Sequence, residues 1–81
     1  MELIEKGEVL TLDDNQDYCV VEVVELDGKR YLYLVNEDES KSEVIIAEEK
    51  HDAEGVIVET LDDKAQMKRI VDIVIKRLSD N

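Results

Sequence analysis

Proline, phenylalanine and tryptophan are absent from this chain, and cysteine and histidine occur once each. Without Phe or Trp the core must be built from Val, Ile and Leu, and neither of those rings is there to stack against a sugar. A single cysteine forms no internal disulfide and no C-x-x-C pair, which removes structural zinc and thiol–disulfide chemistry. Without proline, the turns fall to Gly, Asn, Asp and Ser. The three glycines, Gly7, Gly28 and Gly55, make neither G-x-G-x-x-G nor G-x-x-x-x-G-K, so the usual phosphate-cradling loops are missing. No apolar run approaches the roughly 18 residues of a membrane-spanning helix. The opening MELIEKGEVLTL has no basic region and no long apolar stretch, which argues against a secretory signal and for a cytoplasmic location.

What the chain has instead is acid. Its 81 residues, enough for one small domain, carry a net charge of -12. Residues 1–63 hold 20 acidic and 5 basic groups, whereas residues 64–81 hold 2 acidic and 5 basic. Such a body repels phosphate backbones and acidic lipid surfaces, so neither direct nucleic-acid binding nor membrane binding is expected. The hydrophobic fraction of 43% is nevertheless that of a folding chain and not of an acidic tail.

Periodicity separates the chain into strands followed by a helix. Strands are expected at about 9–12, 18–26, 30–35, 43–47 and 55–61. Asp27-Gly28 marks a tight hairpin, because glycine accepts the positive φ of a type I′ turn. A polar link containing His51 precedes the last strand. From Lys64 to Leu78 the spacing becomes helical, with Met67, Ile70, Val71, Val74 and Leu78 as the stripe. Asp63 and Gln66 have capping-box spacing, Lys76 and Arg77 suit the negative end, and Asn81 closes the chain. The predicted architecture is α+β: a curled antiparallel sheet of four or five strands with one C-terminal amphipathic helix packed on it. Leu32 and Leu34 point to one face, while Tyr31, Tyr33 and Val35 point to the other. One helix covers only one face, so the tyrosine face needs sheet curvature, the N-terminal segment or a second copy.

The stretches GEVLTLDDNQDYCVVEVVELDGKRYLYLVNEDE, EVIIAEE and GVIVETLDDKAQMKRIVDIVIKRL follow one another in an order that resembles the DUF1292 family, small acidic proteins of Gram-positive bacteria. The likeness lies in the element from Leu12 to Val20, the Gly28 to Leu34 element leading into Val35 and Asn36, and the acid-capped terminal helix. It implies a bacterial cytoplasmic protein, or one from a phage or mobile element, and implies no activity. The helix departs from the family pattern, because Lys64, Lys68, Arg69, Lys76 and Arg77 make its outer face basic.

Few residues invite chemistry. His51 has only Asp52 and Glu54 beside it and reads as an exposed bystander. Cys19, flanked by Asp17, Tyr18 and Glu22, lacks the basic neighbour that activates a thiol and reads as structural. The acidic runs Asp13-Asp14, Glu37-Asp38-Glu39, Glu48-Glu49 and Asp62-Asp63 do not follow calcium-loop spacing and read as solvated charge. No metal, cofactor or catalytic residue is assigned, and no enzyme is expected. The expected interaction surface comprises Tyr18, Tyr31 and Tyr33 with Glu37, Asp38 and Glu39. Its expected partner is a protein with a basic surface or a second copy of the chain. The corresponding functions are an acidic binding or accessory module, or a structural homodimer joined through the Tyr31/Tyr33 face.

Overall fold

Asp27 and Gly28 both take positive φ, 55° and 77°, and join two long strands in the hairpin expected of them. In this computed structural model, which describes residues 3–80, the strands are β1 (Val9–Thr11), β2 (Asp17–Leu26), β3 (Lys29–Asn36), β4 (Val44–Asp52) and β5 (Gly55–Thr60). A short 3-10 turn, Glu39–Lys41, precedes β4, and one helix, α1 (Lys64–Ser79), ends the fold. The expected chain end at Asn81 lies outside the described residues.

The strands pair antiparallel in chain order, β1-β2-β3-β4-β5. The sheet bends strongly into a half-barrel with α1 packed against it. Two turns take a left-handed residue where β-branched side chains would be strained: Asn15 at φ 62° and Ser42 at φ 48°. The link expected around His51 is shorter than its polarity suggested, because β4 continues through His51 to Asp52. Asp52 Oδ1 then accepts from the amides of Glu54 (2.8 Å) and Gly55 (3.1 Å) to close the turn.

One irregularity decides which side chains go where. From the Asp27-Gly28 turn, β2 and β3 pair regularly as far as Glu22↔Tyr33, and then Val20 pairs with Leu34. Val21 is therefore an extra residue, a β-bulge, and every side chain before it is moved to the opposite face. Val23 and Val20 both join Leu32, Leu34 and Ala47 in one core, with Tyr18 and Ile4. Val24, Tyr31 and Ile46 face the other way and meet Ile70 and Val74 of α1. The helix thus lies over the tyrosine face of β3. The leucine face is the inner one, closed by sheet curvature and by the arm that carries Ile4.

Asp63 caps α1, its Oδ1 accepting from the amides of Ala65 (3.0 Å) and Gln66 (3.2 Å). The reciprocal half of the expected capping box is not made: Gln66 Oε1 accepts from Arg69 Nη1 (3.2 Å), and its Nε2 donates to the Tyr31 hydroxyl (3.1 Å). The cap therefore also locks the helix start onto β3. The helical stripe is shorter than expected at its end: Ile70 is fully buried, whereas Leu78 is 52% exposed. Replacing Ile70 by Ala should cost about 3 kcal/mol, from lost burial plus the cavity left behind. Leu78→Ala should stay within about 0.5 kcal/mol. Urea unfolding of the two variants checks this, and equal losses would contradict the packing described.

Candidate interaction site

The three tyrosines do not share a surface. A regular hairpin would set Tyr18 opposite Glu37 and on the same face as Tyr31 and Tyr33, the shared face that the sequence suggested. The bulge pairs it with Asn36 instead and turns it into the inner core, where it is fully buried. Tyr31 is buried beneath α1, and Tyr33 is half-buried at the same helix-facing layer. The face proposed for a second copy is thus covered by the protein's own helix.

Tyr18 nevertheless organises an acidic surface through its hydroxyl. That hydroxyl lies 2.8 Å from Asp14 Oδ2 and in a short contact with Glu43 Oε1. Asn36 Nδ2 donates to Gln16 Oε1 (2.6 Å) and to Glu43 Oε1 (3.3 Å), and the Glu37 amide donates to the Asp17 carbonyl at 2.9 Å. These bonds hold the β1–β2 turn against the loop between β3 and β4. The expected acidic run, Glu37 to Glu39, becomes one side of a larger patch with Asp13, Asp14, Asp17 and Glu43. Within segments 13–17 and 37–43, Lys41 is the single cation. Asp38 caps the 3-10 turn by accepting from the hydroxyl (2.6 Å) and amide (3.0 Å) of Ser40, which holds its carboxyl below the ordinary value.

Among the described residues, five of the ten cations pair with carboxylates of the chain, four of them at the surface. Lys6 pairs with Glu22, Lys50 with Glu59 and Arg69 with Asp27. Arg77 approaches Glu22 at 3.6 Å and donates to the Val23 carbonyl at 2.7 Å. The basic helix face is in this way partly neutralised by the sheet it covers.

His51 is not an exposed bystander. It lies on the inner face of β4, and its Nε2 contacts Glu49 Oε2 in a short hydrogen bond. The Glu49 side chain is fully buried, and its Oε1 accepts from Arg30 Nε at 3.2 Å. Burial disfavours the Arg30 charge, but the hydrogen bonds to Glu49 and Glu25 outweigh it and hold the guanidinium above its ordinary value. The same pair grips the N-terminal arm at both backbone groups of Ile4: the amide donates to Glu49 Oε1 (3.3 Å), and the carbonyl accepts from Arg30 Nη2 (2.6 Å). Two bonds of this cluster pin the arm over the inner core, and the others hold Arg30, Glu49 and His51 together. Nothing in the local sequence announced it, because Arg30 and Ile4 are 19 and 45 residues away from Glu49.

The curl also brings together the two strands that end the sheet. Between β1 and β5 opens a groove of about 690 Å³, floored by Leu10, Leu12, Ile45, Val56 and Val58 and edged by Glu8, Asp13 and Asp14. Val56 on this floor is 48% exposed, whereas Val9, opposite Cys19, stands on the other face of β1 from Leu10. No lysine, arginine or histidine lines it. Sequence reading missed this groove because it joins opposite ends of the chain. Its one local sign was β5, GVIVET, which is apolar on both faces.

No family profile matches this chain, and neither the curated proteins nor the solved structures contain a match to it.

Two outcomes follow. Arg30→Ala leaves the Glu49 carboxylate buried without its cation and should cost about 3 kcal/mol or more. Glu49→Ala leaves the half-buried Arg30 with Glu25 and the Ile4 carbonyl, and should cost less, about 2 kcal/mol. Chemical denaturation measures both, and the reverse order would show that the buried carboxylate is not the vulnerable partner. Tyr18 supplies the pH test. Its hydrogen bond to Glu43, then burial, then Asp14 raise the phenol above its ordinary 10.0. The folded state therefore holds this proton more tightly, a contribution complete below about pH 10 and lost as pH rises through the folded value. Absorbance titration should show one tyrosine ionising later in the native protein than in urea. Tyr18→Phe should remove that late step and flatten the fall in stability above pH 10.

Proposed function

We propose that this chain is a non-enzymatic acidic protein-binding or accessory module, of bacterial or phage origin, whose partner presents a basic surface. The observation that supports this most directly is the assembled acidic end of the sheet. Two segments distant in sequence are hydrogen-bonded side by side so that their exposed carboxylates lie together, while five of the ten cations are engaged by carboxylates elsewhere. A concentrated field of one sign accelerates encounter with an opposite surface and rejects partners of the same sign. Phosphate backbones belong to the rejected class. The reading agrees with the resemblance to the DUF1292 family, which rests on strand and turn residues and brings no reaction with it. It also agrees with the roles of the two residues best able to do chemistry. His51 is spent on the clip that holds the arm, and Cys19 lies half-buried in β2.

The test is charge removal at constant fold. Asp13, Glu37 and Glu39 are exposed, and none caps a turn or joins an ion pair among the described residues. Asp13→Asn, Glu37→Gln and Glu39→Gln together should therefore leave the unfolding midpoint nearly unchanged. Affinity capture from bacterial lysate, at about 50 mM and about 300 mM salt, should retain basic proteins at the lower concentration and lose them at the higher. The triple variant should retain less at either. A captured set indifferent to salt and to the triple substitution would dispose of the steered module.

A further inference from the structure

We propose that the groove between β1 and β5 receives an extended segment of the partner, which adds to the free edge of β5 as a further strand and closes the half-barrel. This rests on the acidic-module reading and specifies how the partner is held. Three features of the groove carry the inference. The first is hydrogen bonding: β5 pairs with β4 on one side and ends the sheet on the other. Its outer amides and carbonyls therefore stand in the row that an incoming strand uses. Six residues of β5 offer an edge of about 20 Å, enough to pair with a segment of similar length.

The second is the floor. Val56 and Val58 stand on the same face of β5 as Thr60, and across the gap Leu10 projects from β1 into the inner core. An added strand presents alternate side chains to such a floor, so the segment should be apolar at every second position. The third is charge. Glu8, Asp13 and Asp14 edge the groove with no cation among them, so the intervening or terminal positions of the segment should be lysine or arginine. The same charge opposes a second copy of this chain, which would bring a further -12 to an acidic rim. The occupant that fits is a basic, alternately apolar strand from a different protein.

A fluorescein-labelled Lys-Val-Lys-Val-Lys-Val-Lys peptide tests this against the full chain at low salt, with Lys-Ser-Lys-Ser-Lys-Ser-Lys as control. The variant is Val56→Ser, at an exposed position on the groove face of β5 whose loss should leave the urea midpoint near that of the parent. Fluorescence anisotropy should show the valine peptide binding about tenfold more tightly than the serine peptide, and the Val56→Ser variant should narrow that difference. Hydrogen exchange should show new protection along Val56–Thr60 when the valine peptide is bound. Equal binding of the two peptides overturns the groove and leaves the acidic module standing, because charge alone then explains the affinity. Binding of neither peptide overturns both. Protection confined to the turns around Asp13 and Glu37 overturns the added strand. So does a dimer in sedimentation that the Val56→Ser substitution dissolves, because the groove would then belong to a second copy.

Discussion

The single extra residue at Val21 is the constraint on which this structure depends. Side chains in a strand alternate between two faces, so β2 without the bulge would place Tyr18 and Val20 on the same side as Val24. The helix would then face a crowded layer, and the inner core would lose its two best-buried contributors from that strand. With the bulge, the first half of β2 serves the inner core and Val24 serves the helix. A bulge also increases local twist, which is the deformation a short sheet needs to curl until its edges approach one another. Inner core, helix-facing core and groove are three results of the same local change in register.

Features encoded by neighbouring residues were legible in the sequence. The Asp27-Gly28 hairpin, the Asp63 cap, the α1 span and the run of strands before the helix all follow from chemistry within a few positions, and they set the fold class; the order of strands in the sheet did not. Features that need distant residues were not. Strand β4 looked finished at Ala47 because EEKHD reads as polar linker. Glu49 and His51 continue the strand on its inner face only because Arg30 and Ile4 are there to satisfy them. The tyrosine surface failed for a similar reason. Alternation predicts a shared face only in an uninterrupted strand, and nothing in YCVVEVVEL marks which valine is the additional one.

Charge and fold are arranged by the same bonds. Tyr18 is an inner-core residue whose hydroxyl emerges between Asp14 and Glu43, so packing of the apolar ring also fixes the spacing of the acidic patch. Repulsion between those carboxylates works against the fold, and the phenol, Asn36 and Gln16 supply donors or bridges that offset it locally. Burying Glu49 follows another logic. An isolated buried carboxylate is strongly disfavoured, but here Arg30, His51 and the Ile4 amide surround it, and the result is a polar latch beside a mainly apolar interior.

That latch bears on the order in which the molecule assembles. Each strand pairs with the one before it, so the sheet grows through short loop closures, which are fast and entropically cheap. Joining Ile4 to Glu49 instead closes a separation of 45 residues, and both partners of the arm, β3 and β4, must already be aligned when it arrives. The arm is accordingly a late participant in folding, laid across an inner core whose walls exist before it. Loosening it lengthens no part of the sheet's own path; its influence falls on how readily the finished protein reopens.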